Sequence, residues 1–242
     1  MPARSGLALT IGFAAEHVRE SSPLVHCVAP LGATPFVADV VYGVGARSVV
    51  TGTARDALEA AMGADAVSLD FATLSSEWSD SVVPSVNAVK SASVPWVMDL
   101  SPLGRAPLRV DRARALLGNR PAVILTTEGT LDGAPLDASA SALVIGDPVE
   151  RVLFDGRETG VGRGADLLRQ VPGVRSAVSA LIAACAAVTG PREAALAGAA
   201  WLALASERAA GHAHGPASFR IALVDALAEV RGDEIAEFLP IG

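Results

Sequence analysis

The segment Gln170-Val171-Pro172-Gly173-Val174-Arg175-Ser176 leads into a long Ala-rich apolar stretch that ends near Val188. A glycine loop running into a helix N-terminus leaves backbone N–H groups without partners inside the helix. Such a corner binds anions, phosphate among them. Arg175 and Ser176 stand where the first turn begins. A guanidinium fork suits phosphoryl oxygens. A serine hydroxyl by itself is a poor general base at neutral pH, because its pKa lies far above the working range. A loose, metaphosphate-like transition state asks little of a base, so positioning can suffice. Asp70 and Asp99 each close a short apolar run. Asp99 could orient Mg²⁺ and water around phosphates, or equally cap the turn that follows it.

These residues need a frame, and short apolar runs alternating with helix-length segments supply one. Residues 24–28, 48–50, 66–69, 96–99 and 122–126 read as buried strands, with helices over 34–44, 54–62, 79–91 and 111–117 between them. Such alternation predicts an α/β fold whose central, mostly parallel sheet is flanked by helices. Ligands gather at the carboxyl ends of strands in such sheets, where Asp70 and Asp99 fall. Residues 143–145 and 151–154 read as strands close in sequence, as at an antiparallel edge. Beyond Gly164 helices are expected over 165–170, 173–188, 192–210 and 218–230, punctuated by Pro-Gly, Gly-Pro and Gly-His. Residues 128–141 read as a loop rich in Gly, Ala, Asp and Ser. With no domain-sized linker, residues 1–242 are expected to form one domain.

Composition narrows the function classes. The formal net charge of −7 argues against nucleic-acid or anionic-membrane binding but permits small anionic ligands. Charged residues make up only 19%, which suggests helix faces buried between subunits. Cys27 and Cys185 form no CxxC pair, and both sit in apolar runs, as small core residues do. A reducing cytoplasm is the simplest location. The apolar run 6–15 after Arg4 imitates a signal peptide. It continues through Glu16–Glu20 as a helix with no clean cleavage site, so an ordinary first helix is expected. Gly160, Gly162 and Gly164 lack the following strand of a dinucleotide fingerprint and read as a loop. His212 and His214 have no third ligand nearby and read as the end of a helix.

Three blocks in order give a resemblance. They are Pro23-Leu24-Val25-His26-Cys27-Val28 with Phe36-Val37-Ala38-Asp39 and Gly45-Ala46; Val97-Met98-Asp99 with Gly104 and Pro107-Leu108-Arg109; and Gly215-Pro216-Ala217-Ser218-Phe219-Arg220 with Asp225-Ala226-Leu227. Together the blocks, from about Pro23 to Val230, resemble the hydroxyethylthiazole kinase family of the ribokinase superfamily. The resemblance implies a three-layer ribokinase-like fold and a homotrimer with sites between subunits. It also implies ATP- and Mg²⁺-dependent phosphorylation of a small alcohol, the thiazole alcohol of thiamine salvage. It places Gly146, Gly173 and Thr126 at the nucleotide, His26, Val50 and Asp70 on the substrate side, and Asp99 and Glu128 at the metal. The phosphoryl-transfer corner falls at Gly173, Arg175 and Ser176. The family's Thr-Gly-Thr-Gly-Cys segment keeps its first glycine as Gly173, while Arg175 replaces the second and Ser176 the cysteine. Leu125-Thr126-Thr127 stands for the family's Arg-Gly-Asn, Val144-Ile145-Gly146 for Val-Thr-Gly, Ala29-Pro30 for Thr-Asn, and Asp70 for Asn. The chain is also short between Glu128 and Leu143.

Bland readings stand beside these. Glu128 reads as a solvated loop carboxylate, His26 as a core histidine, and Ser218 as a helix cap. Arg220 either packs there or pairs with an acidic group across subunits. Three functional readings remain open: a working small-alcohol kinase with a divergent site, in which Arg175 clamps phosphate; a catalytically inactive relative serving binding or assembly, in which Arg175 fills the anion hole; and a kinase-fold enzyme with a new, cationic or polyhydroxy substrate suggested by Asp70.

Overall fold

Runs such as Val123–Thr126 carry no polar alternation because both faces of their sheet are covered, which is how strands of a parallel sheet are built. The computed structural model describes residues 6–51, 59–71, 86, 89, 93–101, 115–128, 140–146, 149–162 and 164–239, and the backbone alone of 54–58. In chain order these hold α1 (Gly6–Ser21), β1 (Leu24–Val28), α2 (Thr34–Gly43), β2 (Arg47–Val50), α3 (Ala54–Gly63), β3 (Ala66–Asp70), β4 (Trp96–Asp99), β5 (Val123–Thr126), β6 (Ala142–Ile145), β7 (Arg151–Phe154) and β8 (Arg157–Gly160). A 3₁₀ turn (Asp166–Gln170) follows, then α4 (Val174–Ala186), α5 (Pro191–Ala210), α6 (Pro216–Glu229) and α7 (Gly232–Phe238).

The eight strands form one sheet in the order β2-β1-β3-β4-β5-β6-β7-β8. Pairing is parallel from β2 through β6, and β7 and β8 add antiparallel at the edge. The expected mostly parallel α/β sheet is therefore present. Strand order reverses between β1 and β3, and a crevice outside the carboxyl ends of the strands at such a point is where open α/β sheets bind ligands.

Side-chain alternation sorts the core into two layers. Val25, Cys27, Ala66, Val97, Val123, Leu125, Ala142 and Val144 face the layer of α1, α2, α4, α5 and α6. Val67, Leu69, Trp96, Met98, Ile124 and Leu143 face the other side with Ala61, Ala64, Leu116 and Leu117. Prolines open α5 and α6 at their first helical positions, where the missing N–H would have no intrahelical partner anyway. No described helix is long and apolar enough to cross a membrane.

Some expectations shift. The predicted helix over 165–170 is a 3₁₀ turn. The segment between Gly164 and Pro172 is short, and a proline biases the residue before it, Val171, towards extended backbone, so the helical stretch stops after five residues. β8 was not anticipated. Its signal was Asp155-Gly156, whose φ values of 48° and 69° suit a two-residue hairpin turn. α7 was also missed; Glu234 accepts the Arg231 N–H at 2.9 Å and caps it. Gly104, Pro107, Arg109, most of the predicted helices over 79–91 and 111–117, and most of the 128–141 loop lie outside the described residues.

Candidate active site

Alternation along β3 and β4 puts Asp70 on the face of Ala66 and Ser68, and Asp99 on the face of Val97. Both carboxylates therefore emerge towards α4, which packs across these strands. The two are register partners on adjacent parallel strands. One hydroxyl pair and one hydroxyl–carboxylate pair fix α4 to β3. Ser68 Oγ lies 2.8 Å from Ser179 Oγ, and Ser176 Oγ–H donates to Asp70 Oδ2. Asp70 and Ser176 are 3% and 5% exposed, so bulk water competes little for that bond.

Asp99 is fully buried. Its Oδ1 accepts the Ser101 N–H at 2.9 Å, while Oδ2 has no hydrogen-bond partner among the described residues. Burial first, and then the negative charge of Asp70, push its carboxyl up to about 7; Ser101 and Arg175 hold it from going higher. The turn-capping expectation for Asp99 is met through Oδ1. The orphaned Oδ2 is what a cap does not explain.

The N-terminus of α4 closes this corner. Gly173 precedes the helix in the left-handed region at φ 85°. A Cβ there would sit 3.0 Å from the Ala33 Cβ, so glycine meets both the backbone and the packing demand. The first intrahelical bond runs from Ala177 N to Gly173 O at 3.0 Å. Arg175 leaves the first turn and donates from Nη2 to the Gly146 carbonyl at 3.2 Å. Gly146, at φ 139°, follows β6, and a Cβ on it would lie 2.6 Å from Glu150 Cγ. The arginine thus links the helix N-terminus to the strand end beside it, within electrostatic reach of Asp99.

Asp70, Asp99, Gly146, Gly173, Arg175 and Ser176 are therefore brought together. The other candidates are not. Thr126 shares the opposite sheet face with Ile124, and its hydroxyl donates to the Thr127 carbonyl at 3.2 Å. His26 alternates with Val25 and Cys27 onto that same far face; its Nε2 lies 2.9 Å from Thr51 Oγ1 and burial lowers its pKa to about 4. Val50 packs, half-buried, against the α4-side core. Glu128 is 79% exposed and forms an ion pair with Arg151 on β7. No group of three His, Cys, Asp or Glu among the described residues could hold a metal ion, His212 and His214 included. Ser218 Oγ accepts the His214 and Gly215 amides at 2.9 and 3.2 Å, as a cap does. Arg220 lies over the Phe36 ring and 3.6 Å from Asp39 within its own chain.

The contact that sequence reading missed is Ser176 to Asp70. These residues are 106 positions apart, and no local pattern announces that they meet.

The sequence model of the "Hydroxyethylthiazole kinase family" matches residues 15–132 and 140–233. A curated hydroxyethylthiazole kinase of Desulforudis audaxviator is 32% identical over 260 aligned positions, covering 96% of this chain and 95% of that one. The solved structure of a hydroxyethylthiazole kinase protein from Pyrococcus horikoshii OT3 superposes with a TM-score of 0.84 at 27% identity, over 91% of this chain and 93% of that chain. A ribokinase-like superfamily protein of Enterococcus faecalis shares the fold with a TM-score of 0.61 at 13% identity, over 87% of this chain and 88% of that chain.

Proposed function

The chain belongs to the hydroxyethylthiazole kinase family, and from that membership we propose that it phosphorylates the hydroxyl of hydroxyethylthiazole or a similarly small alcohol, using ATP and Mg²⁺, in thiamine salvage. The observation that carries the reading is the convergence of Asp70, Asp99, Arg175 and Ser176 at the strand ends and helix N-terminus of a family-length fold. Those residues fit a nucleoside triphosphate with a divalent cation. The first turn of α4 presents amides, and the orphaned Asp99 Oδ2 is an oxygen suited to a hydrated cation. Asp99 would hold that cation largely through water, since no described cluster could ligate it alone. When bound, the triphosphate supplies the phosphoryl group and the cation offsets its charge.

The chain's own residues have separate tasks in this reading. Gly173 brings the α4 backbone close to phosphate, Arg175 offers its guanidinium to phosphoryl oxygens, and Ser176 meets the substrate hydroxyl. Val50 and Asp70 border the substrate side. A homotrimer is part of the reading, supported by the exposed Phe13, Tyr42 and Ile221 on helix surfaces; light scattering after size exclusion tests it. The test of the activity is ADP release with Mg–ATP and hydroxyethylthiazole. Turnover above the no-alcohol rate supports the kinase, and background rates across small alcohols refute it. The Arg175–Gly146 contact is the one observation that favours a non-catalytic scaffold, because the guanidinium already has a backbone partner where phosphate would lie. Micromolar Mg–ATP binding by calorimetry would exclude that scaffold.

A further inference from the structure

A serine hydroxyl has one proton to give and lone pairs to accept with. The proton of Ser176 is committed to Asp70 Oδ2, in a place where both side chains are all but shut off from water. What Ser176 then offers a ligand at the mouth of α4 is a lone pair. We propose that Asp70 is a positioning residue that fixes Ser176 as an acceptor, so that Ser176 receives a hydrogen bond from the O–H of the substrate alcohol and aims that oxygen's lone pair at the phosphoryl group; the new O–P bond forms as the bond from that phosphorus to the ADP oxygen breaks, and the alcohol's proton leaves to water. The inference rests on the kinase reading and adds to it a residue from another element.

The surroundings favour this polarity. Ser179, one helical turn further along α4, is occupied by Ser68 and holds the helix face against β3. The register pairing of Asp70 with Asp99 fixes the carboxylate beside α4. Without Asp70 the hydroxyl could rotate its proton towards the alcohol oxygen and compete with the phosphoryl group for the lone pair that must attack. The loss should then fall on kcat more than on nucleotide binding, because the bond that Asp70 makes to α4 is to Ser176.

The experiment is ADP release by the full chain with Mg–ATP and hydroxyethylthiazole, for wild type, Asp70→Asn, Ser176→Ala and the double variant. Asp70→Asn keeps an acceptor for Ser176 but loses its charge and gains an N–H that can take up the serine lone pair; kcat should fall by about fivefold or more, with KM for ATP unchanged within about twofold. The double variant should be no slower than Ser176→Ala, since Asp70 has nothing left to position. Thermal unfolding accompanies each assay; Asp70→Asn also removes a charge beside Asp99, so its Tm should not fall. A kcat for Asp70→Asn within about twofold of wild type overturns the inference alone. So does a double variant whose losses multiply, or a Tm loss large enough to account for the lower rate. Wild-type turnover at background removes the kinase reading, and this inference with it.

Discussion

Replacing Asp99 by asparagine should change how stability depends on pH. Asp99 is fully buried, and its carboxyl is pushed from 3.8 to about 7 by burial and by Asp70. Below about pH 4 the folded and unfolded chains both hold this proton, so the group has no effect. Between about pH 4 and 7 the unfolded chain has lost the proton while the folded chain keeps it, and stability falls as pH rises. Above about pH 7 the penalty is complete. A difference of about three units at 1.36 kcal/mol each makes it roughly 4 kcal/mol. Water entering the corner would reduce it. Asp99→Asn keeps the shape and an acceptor for the Ser101 N–H but has nothing to ionise. Urea unfolding of both proteins at about pH 5 and pH 8 measures the effect. Wild type should lose roughly 2 to 3 kcal/mol relative to the variant across that interval. A difference that stays constant within about 0.5 kcal/mol would refute the reasoning, because it would mean that the folded state accommodates the charge as well as water does.

Other expectations follow from single features of the fold. Gly173→Ala must adopt φ 85° and press on Ala33, so unfolding should come about 1–2 kcal/mol easier by denaturant titration. Among the described residues Glu128 pairs with Arg151 at an exposed site, so Glu128→Gln should change stability by less than about 1 kcal/mol; a larger loss in urea unfolding would show that the pair is coupled to the core. Arg175→Ala removes a guanidinium at the mouth of α4 and should raise the Kd for Mg–ATP about tenfold by calorimetry; an unchanged Kd would restrict Arg175 to tethering Gly146. Burial pushes both Cys27 and Cys185 up to about 12, so a thiol reagent at neutral pH should label neither in the native protein and both in denaturant.

Much of the frame was legible in sequence because local pattern encodes it. The runs around Val25, Val67, Val97 and Ile124 read as strands covered on both faces, and Gly173 before an Ala-rich stretch reads as the start of a helix. β8 and α7 escaped because Arg157–Gly160 is polar edge strand and Gly232–Phe238 is short, so neither carries an apolar run. The site was legible in part. Strand-end Asp70 and Asp99 and the corner at Gly173, Arg175 and Ser176 stand out by residue type and position, and the fold brings them together.

The sequence could not say which face of the sheet each side chain takes, and that separated the candidates. One residue of register sends His26 and Thr126 to one layer and Asp70 and Asp99 to the other. Nor could it show that Ser176, a poor base alone, is backed by a carboxylate 106 residues away. Periodicity and turn chemistry are properties of neighbours along the chain, so the sequence determined the elements and the α/β sheet they build. Proximity across the sheet depends on register, helix placement and burial together. Only the folded chain decided that Asp70 meets Ser176, that Arg175 reaches Gly146, and that Asp99 keeps an oxygen with no partner among the described residues.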